Sequence, residues 1–127
     1  MEKVLIDTDI IIDFLRDFNK RNKLIFKRVD NKTIDPYISV INLVELFSGK
    51  NIKNEKKIIE NLLTYFKIIP VEADICNLAG TIKRNHNLYI ADAIIAAICI
   101  KKNLCLATFN TKHFKNIKEL KLYPLRT

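Results

Sequence analysis

The pattern of apolar and polar positions divides the chain into short apolar runs and longer segments with helical periodicity. The short runs predict five strands, over 3–6, 36–38, 66–69, 104–107 and 121–123. The periodic segments predict seven helices, over about 10–17, 21–29, 40–47, 53–65, 72–84, 90–102 and 111–116. Because strands alternate with helices, we expect an α/β domain with a mainly parallel central sheet and helices on both faces.

Several residues stand where a helix begins or ends. Asp9 can cap the first helix and Ser39 the third, and Gly49 is expected to end the third. Asp92 can cap the sixth helix if that helix starts after a break at 90–91. Asp9 and Asp92 therefore each have an ordinary structural explanation.

Two polar residues follow neighbouring predicted strands. Asp7 comes directly after the first strand, and Asn110 lies just beyond the strand over 104–107. In parallel sheets ligands bind beyond the carboxyl ends of the strands, where the strand order reverses. We therefore expect Asp7 and Asn110 to reach the same rim of the sheet.

The size and charge of the chain favour one domain with an anionic partner. Its 127 residues, 49% hydrophobic and 28% charged, are typical of a single globular domain over 1–127. The net charge of +8 favours association with RNA or DNA, although solubility alone explains it equally well. No apolar run approaches the roughly 20 residues of a membrane span, so no membrane association is expected.

The cysteines and the first residues indicate a cytoplasmic protein. Cys76, Cys99 and Cys105 form no CxxC pair and lie among apolar neighbours, which predicts reduced thiols in the core. The opening MEKVLIDTD lacks the long apolar segment of a secretory signal.

Five of the 14 acidic residues are embedded in apolar sequence: Asp7, Asp9, Asp13, Glu45 and Asp92. The stretch YIADAIIAAICI, for example, is apolar except for Asp92. A carboxylate removed from water without a partner costs several kcal/mol. The other nine acids, Asp17 and Asp35 among them, lie in polar sequence and are predicted to be surface residues.

Three of the embedded acids can form a metal site. Asp7, Glu45 and Asp92 come from three separate elements that can meet at one rim, although Glu45 can also simply face water. Clustered carboxylates repel one another unless a cation joins them, and oxygen ligands alone select Mg²⁺ or Mn²⁺. Such an ion can activate water for hydrolysis of a phosphodiester bond. In a basic chain, this indicates an enzyme that acts on nucleic acid.

The segments LIDTDIIIDFLR, ISVINLVELFSG, YIADAIIAAICI and LATFNTKHF, in this order, resemble the PIN-domain ribonucleases, and most closely the VapC-type toxins of toxin–antitoxin pairs. The resemblance covers essentially the whole chain. It implies a three-layer α/β/α sandwich and a Mg²⁺- or Mn²⁺-dependent endoribonuclease that cleaves RNA, either tRNA or rRNA. It also implies a VapB-type antitoxin as partner and a homodimer.

The resemblance also assigns roles to the acidic residues. Asp7, Glu45 and Asp92 match the three acids of the family site and are expected to be catalytic and to bind the metal. Asn110 lies where many members carry a fourth acid, so a second metal is expected to bind weakly or only with substrate. Asp9 can supply the missing charge.

Further residues are expected to assist this site. Thr8 and Thr108 match hydroxyl residues of the family and are expected to hydrogen-bond to the acids. Four lysines are expected to bind backbone phosphates or else to be solvated: Lys50, Lys53, Lys56 and Lys57.

Two other functions remain open from the sequence. The first is a non-catalytic RNA-binding module with a degraded site, which the loss of the fourth acid at Asn110 favours. The second is a phosphatase of the haloacid-dehalogenase type, because Asp7-Thr8-Asp9 is similar to its two aspartates. That class expects Thr or Val where this chain has Ile11, and its later lysine and acidic pair cannot be placed.

Overall fold

The computed structural model describes residues 1–16 and 22–125. Its strands are β1 Glu2–Ile6, β2 Ile34–Ser39, β3 Lys67–Ile69, β4 Cys105–Ala107 and β5 Lys121–Leu122. Its helices are α1 Thr8–Arg16, α2 Asn22–Asp30, α3 Val40–Phe47, α4 Ile52–Leu63, α5 Ala73–His86, α6 Ile90–Lys102 and α7 Thr111–Phe114. Every predicted element is found within a few residues of its expected bounds.

The five strands form one sheet in the order β3-β2-β1-β4-β5. Every strand pairing in the described residues is parallel. The chain builds outward from β1 to β2 and β3, and then returns to place β4 on the other side of β1. The strand order therefore reverses between β1 and β4, as in other doubly wound sheets, where ligands bind beyond the strand ends.

Helices cover both faces of the sheet, which confirms the predicted three-layer sandwich. On β1, Val4 and Ile6 point to a core shared with α1, α2, α3 and α4. Leu5, between them, points to a second core shared with α5 and α6. This alternation follows from the two-residue period of a strand. No helix in the described residues is long and apolar enough to cross a membrane.

The prediction for the start of the first helix was wrong. The helix begins at Thr8, so Asp9 lies inside its first turn and does not cap it. Asp7 takes that position, since its carbonyl accepts hydrogen bonds from the N–H groups of Ile10 and Ile11. Three predictions lie outside the described residues. These are the end of the first helix at residue 17, the start of the second helix at residue 21, and the surface position of Asp17.

The structure also tests the residues that were predicted to begin or end α3 and α6. The capping prediction for Ser39 is confirmed, because its side chain accepts a hydrogen bond from the N–H of Asn42. The helix ends at Phe47, as predicted, with Ser48 as its C-cap and Gly49 next, but Gly49 does not adopt the positive φ typical of a glycine that ends a helix. The proposed break at 90–91 was wrong, because α6 is continuous from Ile90 to Lys102.

Two predictions about burial were wrong. Asp35, predicted on the surface, is 8% exposed and pairs with Lys67 at 3.1 Å, so a cation compensates its burial. Of the three cysteines predicted in the core, only Cys99 is buried. Cys76 is exposed on α5, and Cys105 is half-buried at the start of β4, where it packs against the edge of a core cluster.

Candidate active site

The candidate site lies at the carboxyl ends of the two central strands. Asp7 directly follows β1 and is 6% exposed. Its N–H donates to the carbonyl of Ala107, the last residue of β4, at 2.9 Å. Thr108, which follows β4, is 1% exposed. The reversal of strand order thus brings together two polar residues that are 101 positions apart in the sequence.

The carboxyl group of Asp7 is held by three hydrogen bonds. Oδ1 accepts from the N–H of Thr8 at 2.9 Å and from Nδ2 of Asn42 at 3.2 Å. Oδ2 accepts from the hydroxyl of Thr108 at 2.8 Å. Burial, and after it the nearby charge of Asp9, raises the pKa of Asp7 to about 6, whereas the hydrogen bonds from the Thr108 hydroxyl and the Thr8 N–H lower it. Glu45 adds a smaller repulsion, which also raises this pKa.

Glu45 reaches the same cluster from helix α3. Glu45 as a whole is exposed to solvent, but its Oε1 accepts a hydrogen bond from the hydroxyl of Thr8 at 2.7 Å. Thr8 therefore joins the two acids, because its N–H binds Asp7 and its hydroxyl binds Glu45. The predicted meeting of Asp7 and Glu45 at one rim is confirmed.

Asp9 completes a group of three acids. Its Oδ2 accepts from the N–H of Phe109 at 3.1 Å and lies 3.4 Å from the hydroxyl of Thr108. Its Oδ1 is buried and has no hydrogen-bond partner among the described residues. Burial raises the pKa of Asp9, and the charge of Glu45 adds to this effect. An unpaired buried carboxylate oxygen is costly, and a bound cation would compensate it.

Asn42, which the sequence reasoning missed, connects the acids to helix α3. It is fully buried, and its Nδ2 donates to Asp7 Oδ1 and, at 3.0 Å, to the hydroxyl oxygen of Thr8. Its Oδ1 accepts from the N–H of Ser39 at 3.0 Å and from its hydroxyl at 2.8 Å. Since the amide also accepts from Ser39, it is held with its donor nitrogen toward the acids. The helix-capping signal at Ser39 was the available sign of this residue.

We expect Asn42→Asp to separate the capping role of Asn42 from its role in the site. The aspartate keeps an acceptor for Ser39, but it replaces the donor to Asp7 by a like charge. Cleavage of RNA should fall by about 100-fold while the helical circular dichroism is retained. The measurement is kcat/KM at saturating Mn²⁺, beside thermal unfolding. An Asn42→Asp variant that cleaves at the wild-type rate would show that the amide only caps α3.

Asp92 lies apart from this cluster. Its side chain, in the first turn of α6, is 21% exposed, and its Oδ2 is 3.7 Å from Nδ1 of His113. Burial raises the pKa of Asp92, and His113 partly offsets that effect. Among the described residues, no hydrogen bond or ion pair joins Asp92 to Asp7, Asp9 or Glu45. The surroundings of Asp92 thus include His113, a residue of α7 that the sequence reasoning did not place in the site.

Asn110 contributes its backbone to the site. Its N–H donates to the hydroxyl oxygen of Thr108 at 3.1 Å, so that this hydroxyl is directed to donate to Asp7. The residue itself is exposed. Its expected position beside the rim is therefore confirmed, whereas a role for its side chain stays a prediction.

The four lysines that were expected to bind phosphates lie beside α3 and on α4. All are exposed, and no ion pair between described residues engages them: Lys50, Lys53, Lys56 and Lys57. They are free to meet an anionic partner.

The donor set fits a hard divalent cation in its chemistry. Asp7, Asp9 and Glu45 offer only oxygen ligands, and no described lysine, arginine or histidine pairs with them. In the arrangement seen, no three His, Cys, Asp or Glu side chains of the described residues converge closely enough to hold one ion. Mg²⁺ usually keeps several waters and is held by one or two carboxylates, so it does not need three such side chains.

Comparisons with known proteins agree with this architecture. A sequence profile of the PIN domain matches residues 4–120. The chain is 32% identical over 124 residues to ribonuclease VapC10 of Mycobacterium tuberculosis, covering 93% of this chain and 90% of that protein.

Two solved structures have the same fold as this chain. A chain in the crystal structure of VapBC2 from Rickettsia felis bound to a promoter DNA fragment superposes with a TM-score of 0.81 at 22% identity, covering 95% of this chain and 97% of that one. A chain of a toxin–antitoxin complex from Klebsiella pneumoniae gives 0.77 at 28% identity, covering 92% and 94%.

Proposed function

This chain belongs to the PIN-domain family, and from that premise we propose that it is an endoribonuclease, the toxin of a toxin–antitoxin pair, which requires Mg²⁺ or Mn²⁺. The relative from Mycobacterium tuberculosis is named a ribonuclease and is similar along almost its whole length. The proposed substrate is RNA, and the proposed location is the cytoplasm.

The observation that carries this proposal is a cluster of three acids that pairs with no positively charged side chain of the described residues. Asp7 and Asp9 are both buried enough for their pKa values to be raised, and Glu45 is joined to them through Thr8. An arrangement that raises the pKa of neighbouring acids is unfavourable for folding alone and is typical of functional sites. A divalent cation would remove the repulsion.

The residues of the chain are proposed to position the reaction. Asp7, Glu45 and Asp92 would hold the ion, which when bound supplies a Lewis acid for the phosphate and lowers the pKa of water. Thr108 and Asn42 fix the orientation of the Asp7 carboxyl group. Asp9, with its unpaired Oδ1, would orient a water at the edge of the site.

The purified chain, free of any partner, should cleave total cellular RNA at discrete positions in Mg²⁺ or Mn²⁺ and not in EDTA. Sequencing of the new 5′ and 3′ ends measures this and identifies the substrate. In the matched variant Glu45→Gln, the amide oxygen can still accept from Thr8, but the charge is lost. We therefore expect a folded protein whose cleavage falls at least about 100-fold.

The alternative function gives a different result in the same experiment. A non-catalytic RNA-binding module would retain RNA without cutting it, with or without metal, and Glu45→Gln would behave as the wild type. The exposed Asn110 in place of a fourth acid is the feature that favours this alternative. Metal-dependent cuts that are lost in Glu45→Gln would exclude it.

Two apolar surfaces support the proposed protein partners. A groove of about 440 Å³ beside α2 and α4 is lined largely by apolar side chains, including Phe14, Phe26 and Tyr65, and suits an apolar segment of a VapB-type antitoxin. Val44 on α3 is 66% exposed, and Tyr89 and Ile90 at the start of α6 are 77% and 64% exposed. Exposed apolar side chains favour a protein partner, and here we propose a second copy of the chain. The solution mass of the chain, alone and coexpressed with such an antitoxin, tests both.

A further inference from the structure

A second groove, of about 540 Å³, lies between the end of α3 and the outer face of α4. It is lined by Phe47, Ile52, Lys53, Lys56 and Glu60. Its size is within the range of pockets that hold small organic groups. It thus combines an aromatic ring and an aliphatic side chain with two cations and one acid.

The charges of this groove are arranged along one face of α4. Lys53 and Lys56 are one turn apart, and Glu60 is a further turn along the helix. Both lysines are exposed, and no ion pair of the described residues engages them. They lie in the first half of α4, where the helix dipole is positive, so this end of the groove favours an anion.

The aromatic side of the groove is joined to the candidate active site by α3. Phe47 is two residues after Glu45, a rise of about 3 Å along the helix axis. Phe47 remains 36% exposed although it is a large apolar side chain. Residues two positions apart do not share a face of a helix, so Phe47 points away from Glu45 and the groove is a surface separate from the site acids.

We propose that this groove binds an unpaired nucleotide of the RNA substrate, outside the cluster of acids, with its base stacked on Phe47 and its phosphates against Lys53 and Lys56. The inference rests on the proposed function for the choice of RNA. Proteins that bind single strands combine aromatic rings for bases with cations for the backbone, and this groove has both. A base inside a duplex cannot offer its face to Phe47, so the groove selects unpaired RNA.

Binding can be measured without cleavage. The probe is a fluorescein-labelled, unpaired oligoribonucleotide of eight nucleotides, and fluorescence anisotropy in EDTA gives its Kd as a function of salt. We expect Phe47→Ala to weaken binding by about 10-fold and Phe47→Tyr to change it less than about twofold, because the tyrosine ring still stacks. The same oligonucleotide annealed to its complement should be nearly insensitive to either change.

The contribution of the lysines can be measured separately, from the salt dependence of RNA binding. The variant Lys53→Gln/Lys56→Gln should lower the magnitude of the slope of log K against log salt by about 1.4, since each phosphate contact to a single strand contributes about 0.7. The matched control is Lys101→Gln/Lys121→Gln. Both of these lysines are exposed at the opposite edge of the sheet, where α6 ends and β5 begins. Their loss should leave the slope nearly unchanged.

Three results would overturn the inference. Phe47→Ala could bind the unpaired probe as tightly as the wild type, or the two lysine variants could have equal slopes. Alternatively, Phe47→Ala could convert a dimer to a monomer in sedimentation without changing RNA affinity, which would assign the groove to a second copy of the chain. Because the binding assay needs no cleavage, the two proposals can fail separately. Unchanged binding in the Phe47→Ala variant of a chain that shows metal-dependent cleavage refutes the groove alone. Weakened binding in the Phe47→Ala variant of a chain that never cleaves RNA refutes the nuclease alone.

Discussion

Asp7→Asn is expected to abolish RNA cleavage and, at the same time, to increase the free energy of unfolding of the metal-free chain at neutral pH. Burial raises the pKa of Asp7 from 3.8 to about 6. The folded chain therefore holds this proton more tightly than the unfolded chain does. Stability is lost as the pH rises from about 4 to 6, and the whole loss persists above pH 6.

The expected size of the effect follows from that shift. A change of one pKa unit corresponds to about 1.4 kcal/mol, which sets an upper limit of about 3 kcal/mol for the ionised Asp7. We expect Asp7→Asn to recover about 2 kcal/mol, or roughly 7 °C in Tm. Cleavage should fall by about three orders of magnitude, because the charge at the centre of the site is lost.

The amide of the variant fits the existing hydrogen bonds. Its Oδ1 still accepts from Thr8 and Asn42. Its Nδ2 can donate to the hydroxyl of Thr108, which can then turn its proton to Asp9, 3.4 Å away. The variant can therefore keep a hydrogen bond at each of the three contacts that the Asp7 carboxyl group makes.

Urea unfolding in EDTA between pH 4 and 8 measures the prediction, and Asp35→Asn is its control. Asp35 is also a buried aspartate on the neighbouring strand, but it pairs with Lys67 at 3.1 Å. Its replacement should lower stability or leave it unchanged. Mg²⁺ should stabilise the wild type and not Asp7→Asn. If Asp7→Asn were less stable than the wild type at pH 7.5, the ionised carboxylate would not be the strained group that we infer.

The sequence predicted the architecture because each element of this chain has a local signal. The short apolar runs and the amphipathic segments gave all five strands and all seven helices of the described residues. The alternation of strands and helices then predicted a parallel sheet. The carboxyl ends of its strands predicted where the site lies. Asp7 and Glu45 could be assigned to one site because they follow or lie in elements that meet there.

The parts that could not be predicted depend on contacts between distant residues. Asn42 lies in an apolar segment, and nothing local shows that its amide meets a carboxylate 35 positions away. The burial of Asp35 depends on Lys67, which is 32 positions later on the next strand. The ionic contact between Asp92 and His113 likewise joins two helices. The pattern of apolar positions reports which residues are buried, but it does not report their polar partners.

Asp92→Asn should lower metal-dependent cleavage at least about 100-fold and weaken the binding of Mn²⁺, without loss of the fold. Burial raises the pKa of Asp92, so neutralising it costs the folded chain little. The contact to His113 at 3.7 Å can be kept by the amide oxygen. Calorimetric titration with Mn²⁺ and the RNA-cleavage rate measure the two effects.

The matched control is Asp74→Asn, which removes an aspartate from the first turn of the preceding helix, α5. Both variants lose a negative charge near a helix N-terminus, worth about 0.3 to 1 kcal/mol of stability. Of Asp92 and Asp74, only Asp92 is proposed to bind the metal. We therefore expect only Asp92→Asn to lose Mn²⁺ binding and cleavage. No hydrogen bond or ion pair of the described residues joins Asp92 to Asp7, Asp9 or Glu45, so this comparison decides whether the site includes a residue of α6. Equal activity in the two variants would restrict the site to residues of α1, α3 and the end of β1, and would leave the pair of Asp92 and His113 as a contact between α6 and α7.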